Sequence, residues 1–130
     1  MWLLKTEPGT YGYDDLERER EARWDGVTNP VALRNLRAMK AGDRVVIYHT
    51  GAEKAAVGLA EVTREAYPDP ANKRLPVVDI APRGRLPRPV TLAEMKALPA
   101  FAGSPLVRQG RLSVVPLTGE QLRAITGGGR

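Results

Sequence analysis

Short apolar runs alternate with turn-forming residues along the chain and predict a fold of short strands and short helices. Each run is too short for a long helix, and several are rich in β-branched residues, which favour strands. Gly51 would lie in the turn between the second and third of these strands. The predicted strands cover residues 2–5, 44–50, 55–65, 77–81 and 113–117.

Helix signals lie between these strands. Asn29 is placed as an N-cap with Pro30 at the first helical position, and apolar residues then recur at helical spacing (Leu33, Leu36, Met39) until Gly42 ends the helix. The charged segment 13–21 reads as a short solvated helix.

Two capping boxes predict two further helices. Thr91-Leu92-Ala93-Glu94 opens one that runs to about Leu98, and Thr118-Gly119-Glu120-Gln121 opens one that runs to Ile125.

Proline and glycine mark the expected interruptions. Tyr67-Pro68-Asp69-Pro70 should break the strand pattern, residues 82–90 should form a loop with a short extended piece, and Gly127–Gly129 should fray. Trp24 should sit on a turn that contains Gly26. Five or more strands with three or four helices predict an α+β fold, a small curved sheet or barrel with short helices packed outside.

Composition suits one compact domain over residues 1–130, since 42% of the residues are hydrophobic. The net charge is +5 and is uneven: residues 1–25 hold seven acids and four bases, and the remainder holds eight acids and 16 bases. A polyanion is a reasonable partner for such a surface, although a generic basic protein would show the same totals.

Several classes of chemistry find no support. The chain has no Cys and one His, so disulfides, Cys–zinc sites and a His-based metal site are not expected. Neither a phosphate-binding glycine motif nor a nucleophile elbow occurs, which argues against ATP, a dinucleotide or covalent catalysis. We therefore expect no enzyme, no cofactor and no metal. No secretion signal or membrane-spanning run is visible, so a cytoplasmic protein without membrane partners is expected.

Aromatic and cationic residues remain as the candidate chemistry. Trp24-Asp25-Gly26-Val27 is followed closely by Arg34 and Asn35, so a flat ring, a guanidinium and an amide could together hold a planar ligand. Unstacked bases are bound by such a combination. Equally, Trp24 could fill the core and Arg34 could be solvated. Trp2 is expected in the core. The other candidates have structural alternatives: Tyr48 could belong to the core or its rim, His49 could be a satisfied surface or core residue, and Arg108 and Arg111 could be ion-paired.

Ordered motifs over nearly the whole chain resemble the EVE domain family. Among them are Trp2-Leu3-Leu4-Lys5-Thr6-Glu7-Pro8, Trp24-Asp25-Gly26-Val27, Arg34-Asn35-Leu36, Tyr48-His49-Thr50, Val57-Gly58 and Leu106-Val107-Arg108-Gln109-Gly110-Arg111. The resemblance implies a PUA-like pseudo-barrel, similar to the YTH and ASCH domains. It also implies a pocket that accepts a modified nucleobase, flipped out of RNA or DNA.

Residue roles follow from the same resemblance. Lys5 and Thr6 would form the pocket wall, Trp24 would stack on the base, and Asp25 and Asn35 would bond its edge. The mouth or nucleic-acid face would carry Arg34, Tyr48, His49 and Arg111, and Arg108 is a further candidate for binding nucleic acid. The chain departs from the family pattern at Gly12, at Val46-Ile47 and at Gly110.

Three functions are therefore compared. The leading hypothesis is a non-catalytic reader of a modified base in RNA or DNA, with a small-molecule binder as a close variant. The second is a protein–protein interaction module, and the third, with less support, is an enzyme acting on modified nucleosides. The sequence identifies no particular protein partner.

Overall fold

A six-stranded mixed sheet forms the body of the protein in the computed structural model, which describes residues 1–127. The strands are β1 (Trp2–Thr6), β2 (Ala22–Trp24), β3 (Arg44–His49), β4 (Ala55–Asp69), β5 (Asn72–Thr91) and β6 (Val114–Pro116). The helices are α1 (Tyr13–Glu19), α2 (Pro30–Ala38), α3 (Leu92–Ala97), α4 (Pro105–Arg108) and α5 (Gly119–Thr126), with a 3₁₀ turn at Pro99–Phe101. Gly128 and Gly129 of the predicted tail lie outside the described residues.

The sheet has the strand order β2-β5-β4-β3-β1-β6, with β1 and β3 parallel and the other pairs antiparallel. Helix α2 contacts both β5, beside one edge strand, and β6, the other edge strand. The Asn35 side-chain amide donates to the Val114 carbonyl at 2.8 Å and fastens α2 to β6. This α+β arrangement confirms the predicted curved sheet with short helices outside.

The capping signals in the sequence mark true helix starts. Asn29 accepts hydrogen bonds from the backbone N–H groups of Val31 and Ala32, at 2.9 and 3.1 Å. Thr91 and Thr118 each accept from the backbone N–H three residues ahead, so both predicted capping boxes are confirmed. Helix α2 ends at Ala38, four residues before Gly42.

The predicted break at 67–70 comes at the end of that segment, where the chain turns at Pro70 and Ala71, whereas the predicted loop at 82–90 was wrong. Strand β4 continues to Asp69, and β5 runs without a break from Asn72 to Thr91. Register shifts along the β4–β5 pair show how the prolines are accommodated, because bulges leave residues that need no ladder hydrogen bond. The strand pattern therefore survives composition that usually indicates a loop.

Local differences elsewhere are smaller. Helix α1 ends at Glu19 because Arg20 adopts a left-handed conformation, φ 68°. Trp24 belongs to strand β2 rather than to the turn, which follows at Gly26, φ 77°. Trp2, expected in the core, is only partly buried, and its indole N–H donates to Asp43 at 3.0 Å. Within residues 1–127, no helix has the length and apolar character needed to cross a membrane.

Candidate ligand-binding cleft

Two adjoining cavities meet around Trp24 and form what we call the Trp24 cleft. The larger, of about 720 Å³, extends toward Tyr11, Glu19 and Arg23, and the smaller, of about 440 Å³, extends toward Lys5 and Arg111. The residues common to both linings are Thr6, Thr10, Trp24 and Asp25. Because a drug-sized ligand occupies a few hundred Å³, either cavity is large enough for a nucleobase.

Trp24 is held at the floor of this cleft by strand pairing. It lies opposite Val78 in the β2–β5 ladder and is 7% exposed, so most of the indole is packed into the core. The Tyr11 ring meets it edge-on, with centroids 6.0 Å apart and planes at 84°. This T-shaped contact is a favourable aromatic geometry and fixes two rings together at one site.

Lys5 and Thr6 tie the end of β1 to the loops around the cleft. The Lys5 ammonium donates to the Gly110 carbonyl at 2.9 Å and lies 5.7 Å from the centre of the Tyr48 ring. Burial lowers the pKa of Lys5. The Thr6 hydroxyl donates to the Tyr11 carbonyl at 2.6 Å. These bonds position Tyr11 on one side and the Gly110 loop on the other.

Charge differs between the two cavities. The larger is lined by three carboxylates, Glu19, Glu21 and Asp25, and by the base Arg23. Glu19 accepts from the Tyr11 hydroxyl at 2.5 Å, and Glu21 accepts from Thr63 at 2.6 Å.

The smaller cavity carries the bases Lys5 and Arg111, with Glu7 and the shared Asp25. Asp25 is exposed and makes no side-chain hydrogen bond or ion pair among residues 1–127. It is therefore a free acceptor at the junction of the two cavities, where a donor on a bound ligand could reach it.

The structure brings half of the predicted site residues to the cleft: Lys5, Thr6, Trp24, Asp25 and Arg111 line it. Arg34 and Arg108 are exposed but line neither cavity, and no ion pair involves them in the described part of the chain. That Arg34 and Arg108 contact nucleic acid outside the cleft remains a prediction.

The remaining predicted residues are engaged in the fold. Asn35 is bonded to β6, as described above, and Tyr48 is 3% exposed in the core. His49 is 9% exposed; its Nε2 accepts from the Tyr13 backbone N–H at 3.0 Å, and its Nδ1 lies 2.7 Å from a Glu53 carboxylate oxygen. Both ring nitrogens of His49 are thereby occupied, and none of these three residues lines either cavity.

Several lining residues were not singled out from the sequence. They are brought in by the turn before α1, by the end of α1 with the residues after it, and by strand β2: Glu7, Thr10, Tyr11, Glu19, Glu21, Ala22 and Arg23. Tyr11 carried the clearest signal, as one of only seven aromatic residues in the chain. The carboxylates carried none, since Glu19 and Glu21 lie in a segment that resembles any solvated helix.

The described residues give no support for a metal site. No group of three or more His, Cys, Asp or Glu side chains within residues 1–127 is arranged to hold an ion. The cleft offers aromatic surface, the free carboxylate of Asp25 and the bases Lys5, Arg23 and Arg111, a set of groups that can hold a planar polar ligand.

Comparison with known proteins gives one family and a consistent set of relatives. The EVE domain family matches residues 1–127. A Rhodopseudomonas palustris protein solved by NMR is 40% identical and superposes with a TM-score of 0.91 over 96% of this chain and 89% of its own.

The human relatives are more distant. Thymocyte nuclear protein 1 of Homo sapiens is 31% identical over 157 residues, covering 92% of this chain and 69% of its own length. A crystal structure of human THYN1 protein in complex with 5-methylcytosine containing DNA is 30% identical, with a TM-score of 0.81 over 93% of this chain and 92% of that chain.

Proposed function

The chain belongs to the EVE domain family, with its PUA-like fold, and from this premise we propose that it binds nucleic acid and holds a modified nucleobase in the Trp24 cleft without catalysis. The observation that carries the proposal is the pairing of the Trp24–Tyr11 floor with the free carboxylate of Asp25. The human relative crystallised with 5-methylcytosine containing DNA supports DNA as the first polymer to test.

Each part of the cleft has a separate physical task in this proposal. Extruding a base costs a few kcal/mol, which contacts inside the pocket must offset. The aromatic floor contributes because base–aromatic stacking is worth about 1–3 kcal/mol per base. Asp25 accepts from an N–H group on the base edge, as carboxylates do from the exocyclic amine of cytosine. Lys5 and Arg111 line the smaller cavity, and in this proposal their charges attract the phosphates of the extruded nucleotide.

The test is binding of purified protein to matched DNA and RNA oligonucleotides that carry cytosine, 5-methylcytosine or another modified base at one central position. We expect one modified form to bind at least about 10-fold more tightly than its unmodified partner, a difference of about 1.4 kcal/mol. Equal affinity for every base at that position would contradict the proposal and would leave only a basic surface.

Arg111 provides a prediction about the mouth of the cleft. It is exposed, lines the smaller cavity and forms no ion pair within residues 1–127. Arg111→Ala should weaken binding about 3- to 10-fold and lower the slope of log affinity against log salt by roughly one, while preference among bases is unchanged. Fluorescence anisotropy at several salt concentrations measures both.

Arg123→Ala is the matched control for Arg111. Arg123 is also exposed and has no ion pair in the described residues, but it lies on α5 and lines neither cavity of the cleft. If Arg123→Ala weakens binding as much as Arg111→Ala, Arg111 acts through overall charge and not through its place at the mouth.

A further inference from the structure

A second concave surface lies on the far side of Arg23 from the cleft. It is a groove of about 260 Å³ between helix α2 and the β4–β5 hairpin, and we call it the hairpin groove. Its lining residues are Arg37, Ala66, Tyr67, Pro68, Lys73, Arg74, Leu75 and Pro76. The hypotheses drawn from the sequence gave this region no role.

Charge in the hairpin groove is of one sign. Arg37, Lys73 and Arg74 are exposed, and no carboxylate lines the groove. None of the three forms an ion pair among the described residues, in contrast to Arg85 and Arg88, which are bound to carboxylates. Three uncompensated positive charges around one depression create a favourable place for an anion, which salt would screen.

Tyr67 lines the hairpin groove beside these bases, and its ring is held in a fixed orientation. The Tyr67 hydroxyl donates to Asp79 at 2.5 Å, and the Arg64 guanidinium carbon lies 3.7 Å from the centre of the Tyr67 ring. That cation–π contact adds a fourth base beside the groove. Lys73 and Arg74 lie just after the turn between β4 and β5, so they are at the same end of the sheet as Tyr67.

Arg23 joins the hairpin groove to the Trp24 cleft. Its Nε donates to the Tyr67 hydroxyl at 3.4 Å, and Arg23 itself lines the larger cavity of the cleft. Tyr67 lines the groove, so a single side-chain contact separates the two depressions. If a base of a nucleic-acid strand enters the cleft, the neighbouring phosphates of that strand would pass the Arg23–Tyr67 contact and reach the groove.

We propose that the hairpin groove binds the phosphodiester backbone of the strand flanking the base held in the Trp24 cleft, through Arg37, Lys73 and Arg74. The inference rests on the proposed function, because it takes the cleft as the place of the base. The groove supplies affinity without selecting among bases, since phosphate contacts fix the position of a strand and carry no sequence information.

The experiment compares two variants that each remove two arginines and one lysine. The test variant is Arg37→Ala with Lys73→Ala and Arg74→Ala. The control variant is Arg44→Ala with Lys96→Ala and Arg123→Ala, whose bases are exposed, have no ion pair within residues 1–127, and line neither the cleft nor the groove. Thermal unfolding of both variants verifies that they are folded.

Two ligands separate the groove from the cleft. One is a single-stranded oligonucleotide of about twelve nucleotides with a central modified base, long enough to cover one compact binding module. The other is a trinucleotide with the same central base, too short to fill both depressions. The groove variant should bind the longer strand about 10- to 100-fold more weakly and lose about two units of salt slope, from three contacts at about 0.7 each. Its trinucleotide affinity and base preference should be unchanged.

Other outcomes overturn the inference in distinguishable ways. Equal loss in the groove and control variants would show that only total charge matters. An equal loss for the trinucleotide would place the effect in the cleft. Tight, base-selective binding that the groove variant retains would refute the groove while leaving the proposed function intact. Failure of the wild-type protein to bind either ligand would overturn both.

Discussion

Replacing Trp24 with leucine should reduce binding of a modified-base oligonucleotide about 10- to 100-fold, because base–aromatic stacking is worth about 1–3 kcal/mol. Leucine keeps an apolar side chain at the floor of the cleft and so costs less stability than alanine, whose truncation of a buried aromatic costs about 3–5 kcal/mol. Preference for the modified base should disappear with the loss of affinity. Direct binding measurements with modified and unmodified strands give both quantities.

Trp24→Phe is the control for the aromatic contact. Phenylalanine retains a π-face, and like leucine it is smaller than the indole and loses part of its packing. The phenylalanine variant should therefore keep base preference and most of the affinity. Comparable unfolding temperatures for the two variants would separate stacking from general loss of structure. If the leucine variant binds and discriminates as the wild type does, Trp24 is core packing only.

Gly58→Ala should strongly destabilise the sheet. A Cβ at this position would lie 2.5 Å from two carbons of the Tyr13 ring, which is fully buried. Tyr13 cannot move freely, because its hydroxyl donates to the Leu59 carbonyl at 2.6 Å and accepts from the Gly84 N–H at 3.1 Å. Overpacking by about 1–3 kcal/mol combined with these broken hydrogen bonds predicts a loss above about 3 kcal/mol.

Thermal and denaturant unfolding measure this effect, with a fall in Tm of roughly 10 °C or more expected for a domain of this size. Gly110→Ala is the matched control: its added Cβ meets no atom within 4 Å, and its backbone is not left-handed. The control should unfold within about 1 kcal/mol of the wild type. A Gly58→Ala protein as stable as the Gly110→Ala protein would contradict the close approach of β4 to Tyr13.

Features of the fold with local causes were predictable from the sequence. The N-cap Asn29 and the capping boxes at Thr91 and Thr118 act through hydrogen bonds within three residues, so their neighbours alone determine them. Strand β5 was not predictable along its full length. Its prolines indicate a loop locally, and only the register shifts of the β4–β5 pair, set by tertiary packing, keep residues 82–90 in the sheet.

The residues of the cleft likewise include some that were predictable from the sequence and some that were not. Lys5, Thr6, Trp24, Asp25 and Arg111 were found through motifs, and they do meet at one place. Tyr11, by contrast, reaches the cleft through the Thr6 hydroxyl bond and the edge-on contact with Trp24, two contacts that the sequence motifs do not indicate. His49 shows the reverse case: its place in the Tyr48-His49-Thr50 motif suggested a ligand contact, while the fold uses both of its ring nitrogens.

The two tryptophans allow the most direct test of the cleft as the base site. In a 14.2 kDa protein, each indole N–H gives one resolved NMR signal, and Trp2 is bonded to Asp43 outside the cleft while Trp24 lines it. On titration with a modified-base oligonucleotide, we expect the Trp24 indole signal to shift with the affinity measured by anisotropy and the Trp2 signal to stay in place. Binding that leaves the Trp24 signal unmoved would contradict this expectation.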